Sequence, residues 1–208
     1  MVIKKFTIAI LLITAMASTF STCKKGGLGC ANTVYNFNIS ERIIPDKDSI
    51  RTGDTLFLKV TASSSLLDLK TNTVIDYSNA ENLGNVVTLL RFGAANTDAG
   101  AINNFNLILE KGREVNAADP LSQIDVLFDE SNGAYIFSLA IIAKDTGRYA
   151  LTIGDAANVF RKNDKCTKAN FNINFAQTNQ HFYLLNKWRP DLILDDNGKR
   201  HVYYFKVY

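Results

Sequence analysis

The sequence predicts an all-β chain folded as a β-sandwich of two antiparallel sheets, with a short helical segment near the C-terminus. Three observations carry that prediction. Apolar and polar residues alternate with period two along several segments, as strands with one buried face require. Gly, Asn and Asp turn sequences separate these segments at short intervals. Helical periodicity is almost absent over 208 residues, and a 47% hydrophobic content is enough to bury a core.

The first alternation is Tyr35-Asn36-Phe37-Asn38-Ile39-Ser40. Residues 55–62 repeat it with Leu56, Leu58, Val60 and Ala62 on one face, residues 104–110 with Phe105, Leu107 and Leu109, and residues 170–175 with Phe171, Ile173 and Phe175. Residues 135–143 carry apolar groups on both faces, which predicts a central strand covered on each side. Further strands are expected at 86–92, 124–128, 148–153 and 202–207, with short ones at 66–69 and 74–77. The turns are Thr52-Gly53-Asp54, Ser131-Asn132-Gly133, Asp145-Thr146-Gly147 and Asp195-Asp196-Asn197-Gly198, of which Asn197-Gly198 is the strongest hairpin signal. A turn or two of helix is expected within 178–187, before Pro190. Asn-Phe-Asn followed by Ile or Leu recurs at Asn36, Asn104 and Asn170, but the flanking sequences differ, so alternation in Asn- and Phe-rich strands accounts for the echo without a repeat.

The Asp145-Thr146-Gly147-Arg148-Tyr149 segment resembles the turn that enters a late strand of immunoglobulin-superfamily domains. The resemblance implies an Ig-like sandwich in which Asp145, Gly147 and Tyr149 form a structural corner, the Tyr hydroxyl bonding back to the backbone. Leu151 stands where those domains place a Cys, and Trp188 lies too late to be their core Trp, so the likeness is one of architecture only.

The N-terminus carries an address. Lys4 and Lys5 precede an apolar run over residues 6–17, after which small and polar residues follow. This is the pattern of a secretory signal peptide, and a run of about 12 residues spans roughly 18 Å as a helix, too short for a ~30 Å hydrocarbon core. Phe20-Ser21-Thr22-Cys23 resembles the lipobox of bacterial lipoproteins, with Phe20 departing from the usual Leu. Thr-Cys-Lys-Lys-Gly ahead of an all-β body is similar to the envelope lipoproteins of Bacteroidota. The resemblance implies a signal peptide over 1–22, lipid on Cys23, a tether over 23–29 and a sandwich over 30–208. Ala15-Met16-Ala17 offers an ordinary cleavage site as the alternative. The same likeness makes Asp48-Ser49-Ile50 and Asp54-Thr55-Leu56 candidate O-glycosylation motifs. The protein is expected to be exported and anchored in the cell envelope, at the outer membrane, in either leaflet. Cys30 and Cys166 then form an even pair in an oxidising compartment, for which a disulfide is expected.

The formal net charge of +3 falls to +1 once residues 1–22, with Lys4 and Lys5 and no acid, are removed. That is far from a phosphate-neutralising surface, so no nucleic-acid partner is expected. Two His and three Cys supply few metal ligands, and neither a metal nor a cofactor is expected. Asp195-Asp196-Asn197-Gly198 has oxygen ligands but no twelve-residue loop closed by a Glu. No Gly-rich nucleotide loop, nucleophile elbow or His-Glu-x-x-His motif occurs. Aromatic residues are the more suggestive resource: Tyr183, Trp188 and Tyr203, with His181, make a C-terminal cluster suited to stack on a sugar or anchor a protein. The function expected is a non-catalytic binding or adhesion module for a protein or glycan. The alternatives are an envelope hydrolase with two carboxylates facing across a cleft, and a structural subunit offering residues 202–208 as an open edge; the acids that cluster, Asp46 and Asp48, Asp129 and Glu130, and Asp195 and Asp196, are expected to serve turns. Residues 93–103 are expected to form a mobile loop.

Overall fold

The computed structural model describes residues 33–93, 97–177 and 179–208; the signal peptide, Cys23 and Cys30 lie outside them. In chain order the strands are β1 (Thr33–Ile44), β2 (Ser49–Ile50), β3 (Thr55–Ser63), β4 (Ser65–Asp68), β5 (Thr73–Asp76), β6 (Ala80–Glu81), β7 (Gly84–Arg91), β8 (Ala99–Gly100), β9 (Phe105–Lys111), β10 (Arg113–Val115), β11 (Gln123–Leu127), β12 (Asp129–Ser131), β13 (Ala134–Ala143), β14 (Gly147–Ile153), β15 (Ala156–Arg161), β16 (Asp164–Phe175) and β17 (Val202–Val207). Two short helices, α1 (Phe182–Trp188) and α2 (Asp196–Arg200), lie between the last two strands.

The chain is a β-sandwich. One sheet has eight strands, ordered β12-β13-β3-β1-β16-β15-β6 with β9 also on β13; the other has seven, ordered β10-β11-β7-β14-β17-β2 with β8 also on β7. The hairpin β4-β5 stands apart. Alternation sends Phe37, Ile39 and Ile43 of β1 and Phe171 and Ile173 of β16 inward to meet Leu89, Leu151 and Phe205 of the opposite sheet in one core. Rings join the layers: Phe105 lies 4.8 Å from Tyr149, and Phe175 6.0 Å from Tyr203.

Neither sheet is purely antiparallel, which corrects the expectation. β1 runs parallel to β16 from Thr33↔Thr167 to Glu41↔Phe175, and β2 runs parallel to β17. Strands this far apart in sequence are free of hairpin geometry, so either direction is open to them. Residues 202–207 are an interior strand, flanked by β14 and β2, and not an open edge. β13 is central in its sheet and, as expected, buried on both faces from Phe137 to Ile141, with Ile136 and Ile142 half-exposed; β14 and β17 are also covered on both faces, because α1 packs Leu184 and Leu185 over Ala150 and Tyr204. Within the segment expected to be a mobile loop, β8 pairs with β7.

Asp195-Asp196-Asn197-Gly198 is no hairpin. Asp195 caps α2, its carboxylate accepting from the Gly198 amide at 2.6 Å, and Lys199 and Arg200 close the helix, so the capping bond replaces the tight turn. At the other predicted corner, the Tyr149 hydroxyl donates to the Asp145 carbonyl at 3.0 Å, and Tyr149 is fully buried. Other buried tyrosines also find carbonyls: Tyr77 bonds Val159 at 2.7 Å, and Tyr135 bonds Tyr77. Burial pushes the Tyr77 hydroxyl up to about 12.

Candidate functional site

The C-terminal aromatic cluster is built where the turn after β1 meets α1. Tyr203 has no exposed surface: its hydroxyl accepts from the Lys47 amide at 2.8 Å and lies 2.9 Å from Asp46 Oδ1. Burial, followed by the neighbouring Asp46, raises its pKa. A ring so enclosed is closed to a ligand, so Tyr203 is a core residue and not a binding one. His181, at φ 59° just before α1, sets its ring 4.9 Å from that of Tyr203 and its Nδ1 3.1 Å from the Tyr204 carbonyl. A carbonyl only accepts, so Nδ1 carries the proton, and Nε2 faces Asp46 Oδ1 at 3.6 Å.

Tyr183 is 50% exposed, and its hydroxyl donates to Asp48. That bond, aided by the Ser49 hydroxyl at 2.8 Å, holds the Asp48 carboxyl below the usual range. The glycosylation motif at Asp48 is therefore engaged in side-chain bonds, and in the second one Asp54 accepts from the Arg51 amide at 2.9 Å.

Trp188 ends α1 half-buried, 5.9 Å from Phe92 and 6.5 Å from Tyr204, with Arg148 6.0 Å above its ring. Its surroundings make it the lid of the second apolar cluster. Trp188→Ala is expected to cost about 2–3 kcal/mol, below the ~3–5 of a fully buried ring, as read by urea unfolding. A stability unchanged within about 0.5 kcal/mol would show that Trp188 faces outward instead. Of the three aromatics expected to bind, only Tyr183 presents substantial surface, and the three do not share one exposed face.

The clustered acids are engaged in local bonds, as expected of residues that shape the backbone. Asp129 accepts from the Gly112 amide at 2.8 Å and Glu130 from the Asn79 amide at 2.7 Å, Asp195 caps α2, and Asp46 and Asp48 bind the two tyrosines. The three pairs thus sit apart, in the turn after β1, on β12 and at the start of α2, each stabilising local backbone or side-chain structure. His201 is likewise held, Nδ1 at 2.8 Å from the Asn197 carbonyl and Nε2 at 3.1 Å from Asp155.

A surface that residue-type reasoning passed over lies on the outside of the larger sheet. The parallel register sets Asn36-Phe37-Asn38-Ile39 directly beside Asn170-Phe171-Asn172-Ile173. The two apolar residues of each string enter the core, and the amides face outward. Asn170 Nδ2 donates to Asn36 Oδ1 at 3.2 Å, and Asn172 Nδ2 to Asn38 Oδ1 at 3.1 Å. Asn38, Ser40 and Asn172 are exposed, with Asn174 half-exposed beside them. Each ladder bond uses one N–H and one lone pair; Asn170 Oδ1 also accepts from the Asn158 amide at 3.1 Å, so it is the exposed Asn38/Asn172 rung that keeps amide donors and acceptors for an outside partner. Rungs repeat at about 4.8 Å across strands and 6.6–6.8 Å along them. The third copy starts at Asn104, just before β9, and sends Phe105 against Tyr149, away from this face. The signal for the ladder was the echo itself, since identical strings superpose only in a parallel, in-register pair.

No family model matches the chain, and no curated protein does. Among solved structures the chain is similar to the Reelin-N domain of F-spondin (14% identity, 69% of this chain and 85% of that one, TM-score 0.35). It is also similar to the human F-spondin reeler domain (14% identity, 70% and 88%, TM-score 0.35) and to a non-cellulosomal cohesin from Archaeoglobus fulgidus (12% identity, 73% and 98%, TM-score 0.24). Likenesses this remote identify no family, and the chain's function is argued from its own residues.

Proposed function

We propose that the mature chain is a non-catalytic envelope lipoprotein, anchored through lipid on Cys23 at the outer membrane, whose sandwich binds a partner on the outward face of its larger sheet. The ligand chemistry that suits this face is a hydroxyl-rich glycan. The observation that carries the reading is the Asn36/Asn170 and Asn38/Asn172 ladder, whose exposed Asn38/Asn172 rung presents unused amide donors and acceptors on the outer face of the sheet. The expected Cys30–Cys166 disulfide fits the register: Thr33, three residues past Cys30, pairs with Thr167, next to Cys166, and Cys166 does not stand as a free thiol. Such a bond would secure the start of β1 to β16 and close a long loop, contributing up to about 5 kcal/mol in the chain-entropy model.

The test is affinity electrophoresis of the mature protein through a panel of soluble polysaccharides, with reducing ends assayed in the same gels. Retardation by at least one polysaccharide, reduced tenfold or more by Asn38→Ala with Asn172→Ala and accompanied by no new reducing ends, is the expected result. Equal retardation of the double variant would move the site off this face, and released reducing ends would make the protein a hydrolase. Mass spectrometry of the N-terminal peptide separately decides whether Cys23 is acylated.

A further inference from the structure

One end of the sandwich gathers features that the amide face does not use. β1 begins at Thr33, and three contacts bring other elements to the same end. Thr33 pairs with Thr167, just beyond the β15–β16 turn; the Leu69 amide bonds the Asn36 carbonyl at 2.8 Å, which brings up the β4–β5 hairpin; and Arg161 reaches the Asp76 carbonyl at 3.3 Å, which joins that hairpin to β15.

The hairpin is amphipathic in an unusual sense. Leu66 and Asp68 turn inward, yet the outward face is also apolar: Leu67 and Val74 are cross-strand partners, 47% and 67% exposed, and Leu69 is 48% exposed. Exposed β-branched and Leu side chains clustered at a hairpin tip mark a surface that meets something apolar. Cations flank it. Arg161 is paired with Asp164 and Lys165 with Glu81, while Lys70 and Lys162 are exposed and have no acid partner among the described residues. Asp76 is the remaining exposed acid of the hairpin. A recess of about 680 Å³ lies alongside, lined by Arg161, Lys162 and Lys165 and also by the Asp164 carboxylate.

We infer that this end of the sandwich docks on an anionic phospholipid surface, with Leu67, Leu69 and Val74 entering the headgroup–acyl boundary and Lys70 and Lys162 meeting the phosphates. The inference rests on the lipoprotein reading for its geometry. Thr33 is ten residues beyond Cys23, a reach of at most about 33–36 Å when fully extended, so a lipid on Cys23 holds the Thr33 end within that distance of the bilayer. An apolar tip ringed by lysines matches the two layers it would meet, hydrocarbon below and anionic phosphate above. Docked this way, the tether is taken up against the membrane and the sandwich holds a set orientation in place of swinging on a loose leash.

The test uses the mature chain, residues 23–208, carrying Cys23→Ser, so that its outcome does not depend on acylation. It is sedimented with vesicles of phosphatidylglycerol and phosphatidylethanolamine, and with phosphatidylcholine vesicles, at low salt. Expected is partition to the anionic vesicles at least tenfold above the neutral ones. A Leu67→Ser, Leu69→Ser, Val74→Ser variant and a Lys70→Glu, Lys162→Glu variant should each lose at least tenfold, with unchanged thermal midpoints because all five side chains are exposed. Absence of sedimentation by the parent, or variants that sediment like it, would overturn the inference. Mass spectrometry of the native protein meanwhile decides the anchor, so the two readings fail separately.

Discussion

Glu41→Gln is expected to stabilise the protein by about 3 kcal/mol at pH 7 and to remove most of its pH dependence between pH 4.5 and 8. Glu41 lies on β1 between Ile39 and Ile43 and, by strand parity, points into the core, where it is wholly buried. Its Oε1 accepts from Asn85 Nδ2 of the opposite sheet at 2.5 Å, and Asn85 in turn accepts from the Gly154 amide at 3.0 Å. Oε2 has no partner among the described residues. Burial pushes the carboxyl from 4.5 up to about 8, and the Asn85 bond offsets only part of that rise. Below pH 4.5 both folded and unfolded chains hold the proton and the acid costs little. Between 4.5 and 8 the unfolded chain releases it while the folded chain does not, so stability falls by up to about 1.4 kcal/mol per pH unit; above 8 the full cost, about 5 kcal/mol, persists. An amide keeps the shape and the Asn85 contact without this penalty. Urea midpoints of both proteins from pH 4 to 9 provide the measurement: the curves should meet near pH 4 and diverge as pH rises. Parallel curves would mean that Glu41 is solvated in the folded state.

Gly84→Ala is expected to destabilise by about 3 kcal/mol or more, at or beyond the upper end of ordinary overpacking. Gly84 opens β7 opposite Leu127 of β11, and a Cβ there would stand 1.9 Å from the Val126 carbonyl oxygen and 2.8 Å from Leu127 Cα. Both obstacles are backbone, so no side-chain rotation relieves them; the strands must part. Asn85 follows immediately, so the displacement would also disturb the amide that holds Glu41. Gly154→Ala is the control, because its nearest contact would be an ordinary 3.6 Å to Val86 Cβ. The expected urea midpoints are a large drop for the first variant and little change for the second. Equal, small effects would show that β7 and β11 separate without strain.

Strand positions were legible to a degree that depended on local regularity. The strands at 202–207 and 135–143 were read nearly to the residue, because their apolar runs are long and bounded by turns. β15 was missed: its register shifts between Ala156 and Val159, around Asn158 at φ 56°, so the alternation on which recognition depends is broken. Strands of two residues, such as β2 and β6, contain no period to read. Glu41 could have been found, since it shares parity with Phe37, Ile39 and Ile43, but its residue type argued for solvent. The aromatic cluster failed in the opposite way, as chemistry suited to binding was used to fill the core at Tyr203 and to cover it at Trp188.

What this sequence determined by itself is where the strands run and which face of each is buried, because side-chain alternation is a property of a few consecutive residues. Only the tertiary structure decided which strands lie side by side. That choice placed two matching Asn-Phe-Asn-Ile strings in parallel register, set Glu41 against Asn85 and brought the β4–β5 hairpin beside the start of β1. The physical reason is that backbone hydrogen bonds between strands are the same for every sequence. Partner and direction are therefore selected by how all the buried faces pack at once, and no single segment carries that information.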